Sequence, residues 1–280
     1  MTRLRALANA RPRLTALIVL ALFAAMFALP VLIHGPVDLS NAQGLIDLPL
    51  LLANLPAQAL TCLLVLAIVA ALGWWRQTGL NAPFDRRGLR LSIYITAIPL
   101  VLFAVIAALL LSEEAGRGHL AMLLVILLFN LLVGLFEETL FRGIVFHGLR
   151  QAHGLWFAIL ASALLFGLFH LVNLAIGQDW HITLFQVVNA TALGMFFCAI
   201  VLQSGNLWPA IILHAIWNSY AMAGQLAVTE LPLGDLQPEA LTIRPANYIL
   251  PLLIALAAVW IVILWQRRKP PPIPQTGDSP

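Results

Sequence analysis

The chain has 280 residues, 61% hydrophobic and 10% charged, where an ordinary soluble domain is about a quarter charged. A soluble protein of this length cannot hide so much apolar surface, which excludes a secreted disulfide scaffold, a disordered chain and a soluble nucleotide-binding enzyme. The formal charge of +3 is carried by short Arg-rich clusters between apolar runs, which read as topology signals and not as a nucleic-acid surface.

A spanning helix takes about 20 apolar residues. Eight such runs follow one another: Leu14–Leu32, Pro56–Trp75, Leu91–Leu111, Leu120 to about Leu149, Leu155–Ile176, Ile182–Leu202, Leu207–Val228 and Tyr248–Trp265. The first follows an Arg-rich start, but its apolar run exceeds a signal-peptide core and no small-residue cleavage site follows. Residues 34–55 are expected to form an outer loop with an interfacial helix around Leu48–Leu55. The Pro-rich tail 270–280 is expected to be extended, disordered and solvated. Cys62 and Cys198 lie inside apolar runs and are too few for a disulfide framework.

Alternating eight spans from a cytoplasmic N-terminus puts 13 of the 15 basic residues at the cytoplasmic side, with only Arg117 and Arg244 outside. Eight of the 12 acids fall outside. This is the expected bias of an inner-membrane protein with both termini in the cytoplasm. The preponderance of Arg over Lys in a chain rich in Ala and Leu points weakly to a GC-rich bacterial genome. The fold class is therefore an all-α polytopic membrane protein. Its regions are a three-helix part (1–117), a core (118–228), an outer loop with the last helix (229–269) and the tail (270–280).

The fourth span carries LFEETLFRG, which places Glu137, Glu138 and Arg142 in apolar helix. Unpaired, three ionisable groups at the bilayer centre cost on the order of 8–10 kcal/mol. Glu138 and Arg142 are spaced i,i+4 and can pair; Glu137 is turned about 100° away. His170 ends FGLFH in the fifth span, and His214 and Asn218 share a face of the seventh. Helical rise puts Glu137, His170 and His214 at similar depth in the cytoplasmic half. Taken singly, each is as well read as a structural hydrogen bond or buried pair. Together they favour a functional site. Asn130, Gln186 and Asn189 read as interhelical contacts, and Ala190, Gly194 and Cys198 as a small-residue packing ridge.

HExxH is absent, no Ser sits in a suitable Gly-rich turn inside a span, and no span holds an Asp. What remains is a carboxylate with histidines. Such a pair can hold a water and take its proton during attack on a peptide carbonyl, while a second His and an Asn can donate to the oxyanion. A Glu with two His is also a zinc ligand set, and that alternative stays open at this point.

Glu137-Glu138-Thr139-Leu140-Phe141-Arg142 matches the motif EExxxR, Phe166-Gly167-Leu168-Phe169-His170 matches FxxxH, and His214-Ala215-Ile216-Trp217-Asn218 matches HxxxN. With the lead-in SGNLWPAIILHAIWN, the chain over about 120–222 resembles the CPBP family of intramembrane glutamic endopeptidases, which includes CAAX prenyl proteases and bacteriocin-processing or immunity proteins. The resemblance implies Glu137 as general base with His170 on the water, His214 and Asn218 as oxyanion donors, and Glu138 with Arg142 stabilising the site. It further implies a conical cavity open to the cytoplasmic half, no cofactor, and membrane-associated or lipidated protein or peptide substrates met in the lipid bilayer. A non-catalytic scaffold or immunity protein is the alternative. A proton-coupled transporter fits less well, because the polar residues cluster in one half without a repeat.

Overall fold

The computed structural model describes residues 3–34, 48–113, 116–175, 177–231 and 245–268, which are helical throughout apart from short turns. A short helix α1 (Arg3–Ala10) precedes α2 (Pro12–His34), α3 (Leu48–Leu72) and α4 (Arg86–Ser112). Helix α5 (Gly116–Glu138) runs into a π-helical segment (Thr139–Val145) and then α6 (Phe146–His153). Helices α7 (Leu155–Phe169), α8 (Val172–Ala175), α9 (Trp180–Ser204), α10 (Trp208–Glu230) and α11 (Ile249–Arg267) complete the chain, with a 3₁₀ turn (Pro245–Tyr248) before the last.

Local chemistry sets several of these boundaries. Asp179 caps α9 by accepting from the backbone N–H groups of His181 and Ile182, which satisfies donors that a helix start leaves free. The same helix ends on Gly205 at φ +68°, a left-handed backbone that glycine adopts without a Cβ penalty. Arg5 reaches across to donate to the carbonyls of Ala70 and Ala71, covering the Ala71 acceptor left at the end of α3 and joining the Gly73 N–H on Ala70.

Among the described residues, seven helices are long and apolar enough to cross a membrane. The expected span Leu207–Val228 does form a helix, the 23-residue α10, but it is not one of those seven. His214, Asn218, Ser219, Tyr220 and Gln225 lower its apolar character. Three further expectations change. Leu48–Leu55 is not a separate interfacial helix but the start of α3, which continues through Pro56. The fourth span is not one regular helix, because a π-helical turn follows Glu138. The fifth stops at Phe169, so that His170 caps its end instead of lying mid-helix. The tail 270–280 lies outside the described residues, as does most of the outer loop 34–55.

Two helices organise the packing. α10 lies between α4 and α5, and α9 lies between α7 and α11. α3 covers α5 from outside, and α2 covers α6. The approach of α9 to α7 depends on small residues: a Cβ on Gly194 would lie 2.9 Å from the Ala163 Cα, as the expected packing ridge requires. α10 is pinned at its start by loop-to-loop bonds. Leu207 N–H donates to the Gly79 carbonyl at 3.1 Å, and the Trp208 indole donates to the Leu80 carbonyl at 3.1 Å. The Asn206 side chain accepts from Trp208 N–H. These bonds fix the height of the polar face of α10 relative to the loop before α4.

Candidate active site

The site begins where α5 ends. Glu138 is wholly buried, and its Oε1 accepts from Arg142 Nη1 at 2.9 Å. Removing one member of such a pair leaves an uncompensated charge and costs about 3–5 kcal/mol. The π-helical segment starting at Thr139 carries Arg142, and π-turns within helices are frequent at functional sites. Arg142 is flanked by aromatic faces, its guanidinium carbon 4.1 Å from the Phe166 ring centroid and 5.1 Å from that of Phe197. Both distances fall in the range where a ring face attracts a cation.

His214, from α10, completes this cluster. Its Nδ1 is 2.8 Å from Glu138 Oε1. A carboxylate paired to Arg is an acceptor only, so Nδ1 carries the proton and donates. The opposite nitrogen, Nε2, lies 3.6 Å from Glu137 Oε2. The imidazole is thus held between two successive glutamates of α5, stacked on Phe197 at 5.0 Å and 14°. Gly134, one turn before Glu138, permits the approach. A Cβ there would sit 2.9 Å from the Ile211 carbonyl and 3.6 Å from the His214 Cβ.

His170 stands beside the cluster. Its Nδ1 donates to the Phe166 carbonyl at 2.9 Å, since a carbonyl can only accept, and a neutral ring then presents Nε2 as an acceptor. Phe166 lies edge-on between the two histidines, 5.0 Å from His170 and 5.9 Å from His214. Asn218 is half-buried one turn beyond His214 and makes no hydrogen bond among the described residues. Of the six residues expected from sequence, four therefore form one bonded cluster, His170 adjoins it across Phe166, and Asn218 shares only the helix face.

The two glutamates differ in access. The Glu137 side chain is 14% exposed, whereas Glu138 is fully enclosed. Glu137 Oε2, Glu138 Oε2, Thr139 Oγ1 and Arg142 Nε and Nη2 are buried without a hydrogen-bond partner among the described residues. Buried polar atoms are nearly always paired in folded proteins, so five such atoms in one place mark a site built to meet something else. Among the described residues no three His, Cys, Asp or Glu side chains are arranged to hold a metal ion.

Sequence reasoning missed Gly134 and Phe197. Gly134 had a readable signal, since it stands four residues before Glu138 and so shares its face. Phe197 had none, because nothing in FFCAI separates a ring that stacks on an imidazole from one that faces lipid.

Comparison with known families bears on this geometry. Residues 119–220 match the family model described as type II CAAX prenyl endopeptidase, Rce1-like. Over that segment the chain is similar to the CPBP/CAAX protease family, and the match supports a place in it. Comparisons with curated proteins and with solved structures gave no match. The matched segment covers about a third of the chain and holds most of α5, the π-helical segment, α7, α9 and most of α10, which supply every side chain of the bonded cluster. The match points to the class of CAAX-type intramembrane proteases.

Proposed function

We propose that this CAAX-type protease is a glutamic endopeptidase, hydrolysing peptide bonds of membrane-associated or lipidated proteins with Glu137 as general base. The observation that carries the reading is the asymmetry of the two glutamates. Glu138 is enclosed and occupied by Arg142 and His214, while Glu137 keeps partial access. In this mechanism a water held between Glu137 and the Nε2 of His170 attacks the carbonyl, and its proton passes to the Glu137 carboxylate. Asn218, with its amide free, and His214 donate to the oxyanion. Since Nδ1 of His214 is committed to Glu138, donation from Nε2 requires the doubly protonated ring, whose charge the two carboxylates flank. Glu138 and Arg142 then act as positioning residues that hold the imidazole.

The same reading places α10 as an eighth span, both termini in the cytoplasm and the chain in a bacterial inner membrane, because basic residues gather at one side under that count. The core 118–228 would enclose a conical cavity opening toward the cytoplasm, with 1–117 and 229–269 as flanking membrane regions. A cysteine introduced at Gln178 should be labelled by an impermeant thiol reagent on intact cells, and one at Ala82 only after permeabilisation.

The deciding experiment compares protein termini by mass spectrometry in cells expressing wild type or Glu137→Gln at equal levels. New termini with wild type alone support the peptidase. If the variant cuts as well as wild type, the assignment of Glu137 fails. If both profiles match those of cells lacking the protein and a wild-type phenotype survives Glu137→Ala, the chain is a scaffold. Inactivation by a strong chelator with recovery on adding zinc would overturn the metal-free mechanism.

A further inference from the structure

A second built space lies on the far side of α10 from the glutamates. α4, α9, α10 and α11 enclose an apolar cleft of about 550 Å³, lined among others by Leu91, Pro99, Phe196, Trp217, Ala257 and Ile261. Along α4 it runs from Leu91 to Leu102, about 16 Å at the helical rise. Its lining is almost wholly apolar, and Ile98, Leu253 and Trp260 among it are exposed, which suits a hydrocarbon chain.

One helical turn beyond its Leu91 end, the same helices α4, α9 and α11 form a second pocket of about 640 Å³. It is lined by Arg86, Arg87 and Arg268 together with Asp85, Gln203 and Trp265. Its floor is well defined. The buried Gln203 side chain donates to the Ile261 carbonyl and accepts from Arg268 Nη1 at 3.2 Å. Gly88 presses against the Gln203 carbonyl with no room for a Cβ. The one acid in this pocket, Asp85, is committed to the start of α4, accepting from Arg87 N–H and Gly88 N–H. Arg86 and Arg87 form no ion pair among the described residues. Three arginines therefore line a pocket one helical turn from the Leu91 end of the apolar cleft.

We infer that this composite space binds an anionic glycerophospholipid, its phosphate on Arg86, Arg87 and Arg268 and one acyl chain along the α4–α11 cleft. Neutral lipid does not satisfy the arginines, and a soluble phosphate does not use the cleft. Basic pockets between spanning helices are known to take acidic head groups, with about 1 kcal/mol from each arginine near the surface. The inference needs only that these helices span a membrane and is independent of the peptidase reading.

The test is native mass spectrometry of the full-length protein in detergent, titrated with dioleoyl phosphatidylglycerol or dioleoyl phosphatidylcholine. Wild type is expected to retain phosphatidylglycerol selectively. Arg268→Gln should weaken it about fivefold, and the triple Arg86→Gln, Arg87→Gln, Arg268→Gln variant on the order of a hundredfold. Ala257→Phe, which fills the cleft and keeps all three arginines, should also abolish selective retention and carries the test if the triple variant does not fold. The control variant Arg11→Gln, Arg13→Gln, which alters a separate basic pocket, should bind as wild type does. Equal retention of both lipids by wild type overturns the inference. So does an equal loss in the Arg11, Arg13 control, or displacement of the lipid by glycerol 3-phosphate at the concentration at which the lipid itself binds.

Discussion

α10 presents two sides of opposite character. Toward α5, His214 is locked against Glu138 and Glu137 by hydrogen bonding and stacking, with a glycine opposite to let the backbones close. Toward α4 and α11, Leu213, Trp217 and Tyr220 line a cleft that the protein leaves unfilled. The difference reflects what holds helices together in lipid. Apolar side chains gain little from meeting one another there, because the lipid tails are equally apolar, whereas polar contacts and close backbone approach do hold helices. The polar side is tightly specified for that reason, and the apolar side can remain a space for lipid.

The largest effect should come from breaking the polar side. Arg142→Met leaves Glu138 buried without its cation and should cost about 3–5 kcal/mol, read by thermal unfolding in detergent. The double variant Glu138→Leu, Arg142→Met should recover most of that stability, because both charges are gone, yet leave His214 unheld and cleavage lost. A double variant that cleaves would separate His214 positioning from Glu138. Next, Gly134→Val thrusts side-chain atoms at the Ile211 carbonyl and should destabilise by about 1–3 kcal/mol, with a larger loss of turnover than of stability as His214 moves. Phe197→Leu removes the ring stacked between His214 and Arg142 and should cost about 1–2 kcal/mol, again by thermal unfolding. Glu137→Gln, in contrast to changes at Glu138, should leave the unfolding free energy within about 1 kcal/mol of wild type while abolishing cleavage. A loss of stability as large as that of Arg142→Met would make Glu137 a structural residue. The smallest effect belongs to the apolar side: Ile98→Ala, at a residue 66% exposed, should change stability by no more than about 0.5 kcal/mol.

Much of this molecule was readable before any fold was known. Run length and polarity located the spanning helices, since a bilayer demands about 20 apolar residues of any helix that crosses it. The i,i+4 spacing of Glu138 and Arg142 was enough to pair them, because that contact lies within one helix and needs no partner from elsewhere. The motifs EExxxR, FxxxH and HxxxN identified which helices must converge. The CAAX-protease family match covers the same stretch.

Other features had no local cause and were decided only by packing. Nothing in TLFRGIV marks a π-turn, which becomes legible once α2, α7 and α9 are packed around it. His170 proved to cap a helix end, and His214 proved to bridge both glutamates, with Asn218 outside the bonded cluster. The second outcome depends on how far α10 is drawn onto α5, which Gly134 and the pinned loop at Leu207 set together. The apolar pattern could state that helices cross the membrane but not which faces meet, because every face of such a helix is apolar enough for lipid. Only the tertiary structure, through a few glycines and polar contacts, resolved that choice.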